Sequence, residues 1–325
     1  MKFIFSNLFY TLLFSLFAAS AILFMLDYQY TKKGPLKAAK IINIGQGDSL
    51  IEISDNLAQN GIIENKLLFL SLVKIKGLST KIKYGEYLVE ESVSIRSLLE
   101  NLSKGVPLQR KVLIPEGLSS KEISQILNSD PRIKGQDVKI ASEGVLAPDT
   151  YSFDMKISKN NLLDIMKEQQ DRIVKLAWSN RQKDLPLKTS KELVILASIV
   201  EREAIKNNEK PIIASVFINR LNRKMRLQSD PTVIYALTHG KTKFKRKLTR
   251  KDLKRESEFN TYKVFGLPPT PICNPGRLAI MAVSKPAKTD YLYFVADGKG
   301  GHKFSRNLEE HINNVSEYRK ITKNK

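Results

Sequence analysis

The sequence predicts an α+β fold in three parts: an N-terminal transmembrane helix, a small α/β module and a larger mixed α+β domain. Three observations predict it. Residues 8–26 form an apolar run without a charge. Between Ile41 and Asn128, short β-rich stretches alternate with amphipathic helical stretches punctuated by Gly and Ser. From Leu163 the apolar spacing turns helical over longer stretches, and beyond Gln228 it yields to turn-rich sequence holding one strong strand, 291–296. The expected division is a short cytoplasmic N-terminus at 1–7, the span at 8–28 and a linker at 29–36. The small module follows at 37–105, then a connecting α/β segment at 106–145 and the large domain at 146–325.

The run 8–26 is long enough to cross a bilayer core of about 30 Å as a helix. Ala19-Ser-Ala21 resembles a signal-peptidase site, but Ile22-Leu-Phe-Met-Leu26 continues the apolar run past it, which favours an uncleaved anchor. Lys32, Lys33, Lys37 and Lys40 follow the span and only Lys2 precedes it, so the positive-inside count opposes an outward-facing body. Long domains cross regardless of that count, and the expected placement is a single-pass inner-membrane protein with its body outside the cytoplasm.

In the module, 41–44 reads as a strand, Gly45-Gln-Gly47 as a turn, and 49–60 as a helix closed by Gly61. A second helix is expected over 65–76, a strand over 82–89 and a third helix over 94–103. The pattern then recurs: strand 112–114, turn Pro115-Glu-Gly117 and helix 119–128. Further helices are expected over 163–178, from Ser190, and from Pro211 to Asn222.

Composition narrows the functional classes. The chain has 325 residues, 42% hydrophobic and 27% charged, with a net charge of +21. Such a charge suits nucleic acid, anionic lipid or an acidic wall polymer. No zinc-finger, P-loop or RNP-like motif accompanies it, so nucleic acid is not the expected partner. Cys273 is the single cysteine, and His239, His302 and His311 lack metal-ligand spacing, so neither a metal nor another cofactor is expected. Gly298 and Gly300-Gly301 offer only a weak phosphate-cradle signal, because no helix clearly follows.

The stretch from Leu193 to Ala204 organises the chain. Leu193, Leu196, Ala197 and Val200 make one apolar stripe at helical spacing, and the stretch ends in Glu201 and Glu203. Glu203 follows Val200 by three positions and Ile199 by four, beside the large apolar side chains, whereas Glu201 lies nearer Ala197 and Ser198. A carboxyl continuing an apolar face has its pKa raised toward what a general acid needs. The plainer alternative is a helix emerging into solvent with two surface carboxylates. Downstream stand polar groups suited to holding a sugar: Asn219, Gln228, Ser229, Asp230, Asn260, Thr261 and Asn274. Tyr235, Tyr262 and Phe265 add aromatic faces.

Taken in order, these blocks are recognisable. Ala197-Ser-Ile-Val-Glu-Arg-Glu203, Ala214-Ser-Val-Phe-Ile-Asn-Arg-Leu221 and Met225-Arg-Leu-Gln-Ser-Asp-Pro-Thr-Val-Ile-Tyr235 are followed by Asn260-Thr-Tyr262, Gly266-Leu-Pro-Pro269, Asn274-Pro-Gly276 and Tyr291-Leu-Tyr-Phe-Val-Ala-Asp-Gly298. The series resembles the endolytic murein transglycosylases of the MltG/YceG family over about the C-terminal two fifths. The upstream block Glu143-Gly-Val-Leu-Ala-Pro-Asp-Thr-Tyr151 resembles it too. The module up to Gly105 is similar in strand-helix-helix-strand order to LysM-like wall-binding units. One departure is the lysine-rich segment 241–255.

The resemblance implies that 146–325 is a catalytic domain and that Glu203, the second glutamate of the Glu-x-Glu pair, is its catalytic acid. It implies binding of peptidoglycan glycan strands by Asn219, Gln228, Ser229, Asp230, Asn260, Tyr262 and Asn274, with peptidoglycan synthases as candidate partners. The implied reaction is cleavage between N-acetylmuramic acid and N-acetylglucosamine with closure of a 1,6-anhydro ring. One carboxyl serves both proton transfers, and Asp230, Asn260 or a substrate amide supports the cationic transition state. A membrane-tethered, non-catalytic peptidoglycan-binding scaffold is the competing reading. Glu201→Gln is expected to spare activity that Glu203→Gln removes.

Overall fold

The computed structural model describes residues 2–154 and 157–323. Its chain divides into two compact units, one of Met1–Arg110 with Ser152–Met155, the other of Lys111–Tyr151 with Lys156–Lys325. The architecture is mixed α+β.

The first unit opens with α1 (Lys2–Thr31). Its stretch Phe9–Thr31 is long and apolar enough to cross a membrane, and it is not buried by the rest of the molecule. The helix passes into β1 (Lys40–Ile44), α2 (Leu50–Gln59), α3 (Lys66–Ile75), β2 (Gly85–Val89) and α4 (Ile95–Lys104). β1 and β2 are antiparallel, with Ile42 opposite Tyr87 and Lys40 opposite Val89. The strands alternate as a one-sided sheet must: Ile42, Ile44, Tyr87 and Val89 are buried, whereas Ile41 and Leu88 are exposed. The buried face packs on Ile53, Leu57, Phe69, Val73, Leu98 and Leu102 of the three helices. Residues 29–36, expected as a linker, fold onto this module: Tyr30 packs against its core and Gly34 N–H donates to Ser92 O.

Next along the chain come β3 (Arg110–Leu113), α5 (Ser120–Ser129) and β4 (Thr150–Phe153), which pairs with β3; α5 and all but the ends of this stretch lie in the second unit. The recurring strand–turn–helix pattern is reproduced in detail. Gly47 and Gly117 both take positive φ, and two residues later Ser49 and Ser119 each form a reciprocal capping box, with Glu52 and Glu122. The segment 111–145 lies in the larger compact unit.

There follow α6 (Lys159–Ser179), α7 (Ser190–Glu203), α8 (Lys210–Asn222), α9 (Asp230–Thr238), α10 (Arg250–Leu253), α11 (Arg277–Ser284), β5 (Tyr293–Ala296), β6 (His302–Ser305) and α12 (Leu308–Lys323). Beyond Gln228 the chain is loop-rich, as expected, with long irregular stretches at 239–249 and 254–276, and α9 to α12 are set between such stretches. Asp230-Pro231 starts α9, proline being accepted in a first turn whose N–H groups have no helical partner. Asn274-Pro-Gly276 leads into α11. α12 packs on β5 and β6 through a face that includes His311 and Asn314, which weakens its apolar period.

α7 is the centre of this unit, packed against α6, α8, α9 and α11. Every residue from Leu193 to Val200 is buried, so the helix is enclosed on all sides, and the single stripe expected from its spacing is too narrow a description. Even Ser198 is satisfied internally: its hydroxyl donates to Ile195 O and accepts from Ile272 N–H. The glycines at 298–301 form the tight β5–β6 turn, where Asp297 Oδ1 accepts from Lys299 and Gly301 N–H. The pairing of β5 with β6 accounts for the turn without a phosphate.

Candidate active site

α7 ends at Glu203, and its last turn carries two carboxylates into different surroundings. Glu201 is 6% exposed, pairs with Lys210 Nζ at 2.9 Å, and accepts Gly276 N–H at 3.0 Å. Lys210, itself 2% exposed, also reaches Glu116 at 3.2 Å. Glu201 thus ties the start of α8 to the start of α11, where the free N–H groups favour a negative charge. All of its hydrogen-bonding is structural.

Glu203 is partly exposed, and its Oε1 accepts the Ser229 hydroxyl at 2.6 Å. Desolvation pushes its pKa up to about 7, opposed by the Ser229 hydrogen bond and reinforced by the Asp230 charge. Arg220 and Arg202 oppose the rise more weakly. With Oε1 engaged by Ser229, Oε2 is the oxygen placed to carry a proton.

The turn 228–230 is built to hold that geometry. Gln228 takes φ +50, and its N–H donates to Thr261 O. Ser229 is buried, with its N–H on Thr261 Oγ1 at 2.9 Å and its carbonyl accepting Thr232 Oγ1 at 2.6 Å. The two threonine hydroxyls meet at 2.8 Å. Asp230 is exposed, and its Oδ1 accepts the Tyr262 hydroxyl at 2.7 Å. Burial and the hydrogen bond to Asp230 both push the Tyr262 pKa up, so this phenol stays a donor.

Arg220 was not singled out by the sequence reading. It is buried in α8 and donates to Leu227 O and Leu292 O, each at 2.7 Å, fixing the strand of chain that leads into Gln228. Its burial lowers its pKa. An arginine within an otherwise apolar helical stretch is the signal that marks it, since a buried charge needs a full set of partners.

Three of the expected sugar contacts are hydrogen-bonded to the protein's own backbone in the structure. Asn260 is fully buried and donates to Leu253 O and Arg255 O while accepting Tyr262 N–H. Asn274 is fully buried too: Oδ1 accepts Gly144 and Leu146 N–H, and Nδ2 faces Leu118 O, Ser120 Oγ and Glu143. Asn219 donates to Thr289 O and Tyr291 O. These amides pair with the backbone because irregular chain buried without partners would be costly. They brace the site and leave Glu203, Gln228, Ser229, Asp230 and Tyr262 as its gathered polar groups. Tyr235 packs on Phe259 at 4.9 Å and belongs to the core, whereas Phe265 is exposed under Arg226.

α9 also borders a cavity of about 370 Å³ lined by Pro231, Ile234, Arg202, Lys241, Lys243 and Phe244. The lysine-rich segment divides here. Arg246 forms a two-pronged pair with Asp252, which lowers the Asp252 pKa, while Lys241 and Lys243 remain exposed.

The YceG-like family model matches residues 42–317. The chain is 31% identical to an endolytic murein transglycosylase of Bacillus subtilis (strain 168) over 303 residues, covering 83% of this chain and 82% of that protein. It is 31% identical to an endolytic murein transglycosylase of Streptococcus pneumoniae (strain ATCC BAA-255 / R6) over 345 residues, 90% of this chain and 61% of that longer protein. The crystal structure of a YceG-like protein from Listeria monocytogenes superposes with a TM-score of 0.52 at 31% identity, over 85% of this chain and 99% of that one. Sequence and fold agree: the chain belongs to the YceG-like family.

Proposed function

We propose that the chain is a membrane-anchored endolytic lytic transglycosylase, cleaving bonds between N-acetylmuramic acid and N-acetylglucosamine within nascent glycan strands and so ending strand elongation. α1 anchors it in the cytoplasmic membrane with the body outside the cytoplasm. The β1–α2–α3–β2 unit serves as a LysM-like element that positions glycan, and peptidoglycan synthases are the partners that would supply the strands.

The observation that carries this reading is the desolvated carboxyl of Glu203 at the site, its pKa pushed up to about 7 and a hydroxyl on one oxygen. Near neutral pH a sizeable fraction is protonated, which is what a general acid requires. Glu203 gives its proton to the glycosidic oxygen, the C1–O bond breaks with its electrons going to the leaving sugar, and positive charge develops at the muramyl ring. The exposed Asp230 carboxylate, oriented by Tyr262, lowers the energy of that cation. The Ser229 hydroxyl supports the Glu203 carboxylate formed in the process. Glu203 then takes the proton of the C6 hydroxyl as that oxygen attacks C1, closing the anhydro ring and regenerating the acid. No water enters the reaction, so the second, water-activating carboxylate of an inverting glycosidase is unnecessary. Glu201, committed to Lys210 and Gly276, supports that assignment by being unavailable. A non-catalytic scaffold would have no use for the desolvated acid.

The test is mass spectrometry of fragments released from isolated sacculi. The native chain should give 1,6-anhydromuramyl ends. Glu203→Gln should lower their release by about 10² to 10⁴-fold, the usual contribution of general acid–base catalysis. A folded Glu203→Gln variant working at the native rate would refute the assignment.

A further inference from the structure

The proposed chemistry leaves unused a cavity of about 400 Å³ in the first unit. Met25 and Leu26 of α1 line one part of it, Ile62 and Leu68 of the module another, and Lys32 and Lys33 contribute cationic groups. Leu26 closes the charge-free apolar run and Asp27 follows it, so Met25 and Leu26 mark the end of the apolar part of α1. If α1 spans the membrane, this part of the cavity lies at the edge of the hydrocarbon, where acyl chains meet headgroups.

The junction between helix and module is stiff. Tyr30 packs on the module core, with Lys76 Nζ 4.8 Å above its ring. Lys32 Nζ pairs with Glu64 at 3.0 Å. A Cβ on Gly34 would fall 2.2 Å from Val93 O, so the chain crosses the module at a distance only glycine allows. These contacts tie the end of α1 to the module, and residues of both line the cavity.

We propose that this cavity is a lipid site, in which one acyl chain of an anionic phospholipid lies between α1 and the module and its phosphate is held by Lys33, with Lys32 sharing its charge between that phosphate and Glu64. The proposal rests on the reading of α1 as a membrane span. An apolar cavity gains nothing from water but does gain from a hydrocarbon chain, and lysines beside a bilayer favour anionic headgroups. Occupancy would fix the module at the membrane surface, where newly made glycan leaves the membrane.

The full chain is reconstituted in vesicles of phosphatidylglycerol and phosphatidylcholine, washed with carbonate, extracted in mild detergent and examined by native mass spectrometry. The native chain should retain one phosphatidylglycerol. Leu68→Trp, which fills the cavity, and the double change Lys32→Ala with Lys33→Ala should each retain it about tenfold less. Both should keep native cleavage of soluble glycan. Membrane-retained protein without bound lipid, or equal retention by Leu68→Trp, overturns the lipid site alone. So does a photocrosslinker at Met25 that captures protein instead of lipid in cell membranes. Release by carbonate overturns the anchor and the site together.

Discussion

Glu203 and Glu201 sit two positions apart on one helix end, yet a neutral amide should affect them in opposite ways. At Glu203, replacement removes a carboxyl whose folded pKa is raised. Such an acid disfavours folding once ionised, and the penalty develops as pH rises from the ordinary carboxyl value through about 7. Glu203→Gln should therefore melt at or above the native temperature at about pH 8, with the gain fading in acid. Glu201→Gln breaks a buried ion pair with Lys210 and should lose about 3 kcal/mol, because that ammonium keeps only Glu116. Paired thermal melts decide this, and they show why Glu201→Gln is no innocent control for activity. Ser229 offers a subtler test. Its hydroxyl stabilises the ionised Glu203, so Ser229→Ala should raise the Glu203 pKa further and move the alkaline limb of the kcat/KM profile to higher pH. The maximal rate should fall by about tenfold as the carboxyl loses its orientation. A limb that stayed in place would mean that Ser229 does not set this pKa.

Among the elements, α7 is held at its working end by loops that have little regular structure of their own. Asn274 is their knot: one side chain accepts Gly144 and Leu146 N–H and donates toward Leu118 and Ser120, while Gly117 N–H bonds to its carbonyl. Asn274→Ala would strand two buried N–H groups, each worth about 1–3 kcal/mol. The expected result is a clearly lowered melting temperature, with activity measured well below it reduced but present. Loss of activity with unchanged stability would instead place Asn274 on the substrate. Asn260 acts similarly on a smaller scale, turning the chain so that Tyr262 reaches Asp230.

At the scale of the whole molecule, the net charge of +21 is spread over many lysines, and two exposed ones, Lys241 and Lys243, line the α9 cavity together with Arg202, the residue before Glu203. Peptidoglycan carries carboxylates on its stem peptides, and exposed cations act on such a polymer mainly through binding. Exchanging Lys241 and Lys243 for Glu together should raise KM by about tenfold at low ionic strength and leave kcat nearly unchanged. Added salt should shrink the difference, since the Debye length is only about 8 Å at physiological ionic strength. Cleavage assays at two salt concentrations read this directly; a fall in kcat alone would argue against a binding role.

The sequence by itself determined much of the local structure: the apolar N-terminal helix, the two capped strand–turn–helix entries, and the helices from Ser94 to Asn222 within a few residues. Each rests on interactions between neighbours in the chain, such as the Ser49–Glu52 and Ser119–Glu122 boxes. The turn signals beyond Gln228 match the long irregular stretches 239–249 and 254–276, but proline and glycine also begin helices, and α9 and α11 start at such residues. Only the tertiary structure decided which glutamate is free. Helical phase placed both beside the apolar stripe, but their partners, Lys210 and Gly276 for one and Ser229 for the other, come from segments that folding brings together. The polar residues were sorted in the same way. A buried amide and a ligand-binding amide are the same letters in a sequence, and what separates Asn260 and Asn274 from Asp230 is whether backbone groups from distant segments already occupy their hydrogen bonds.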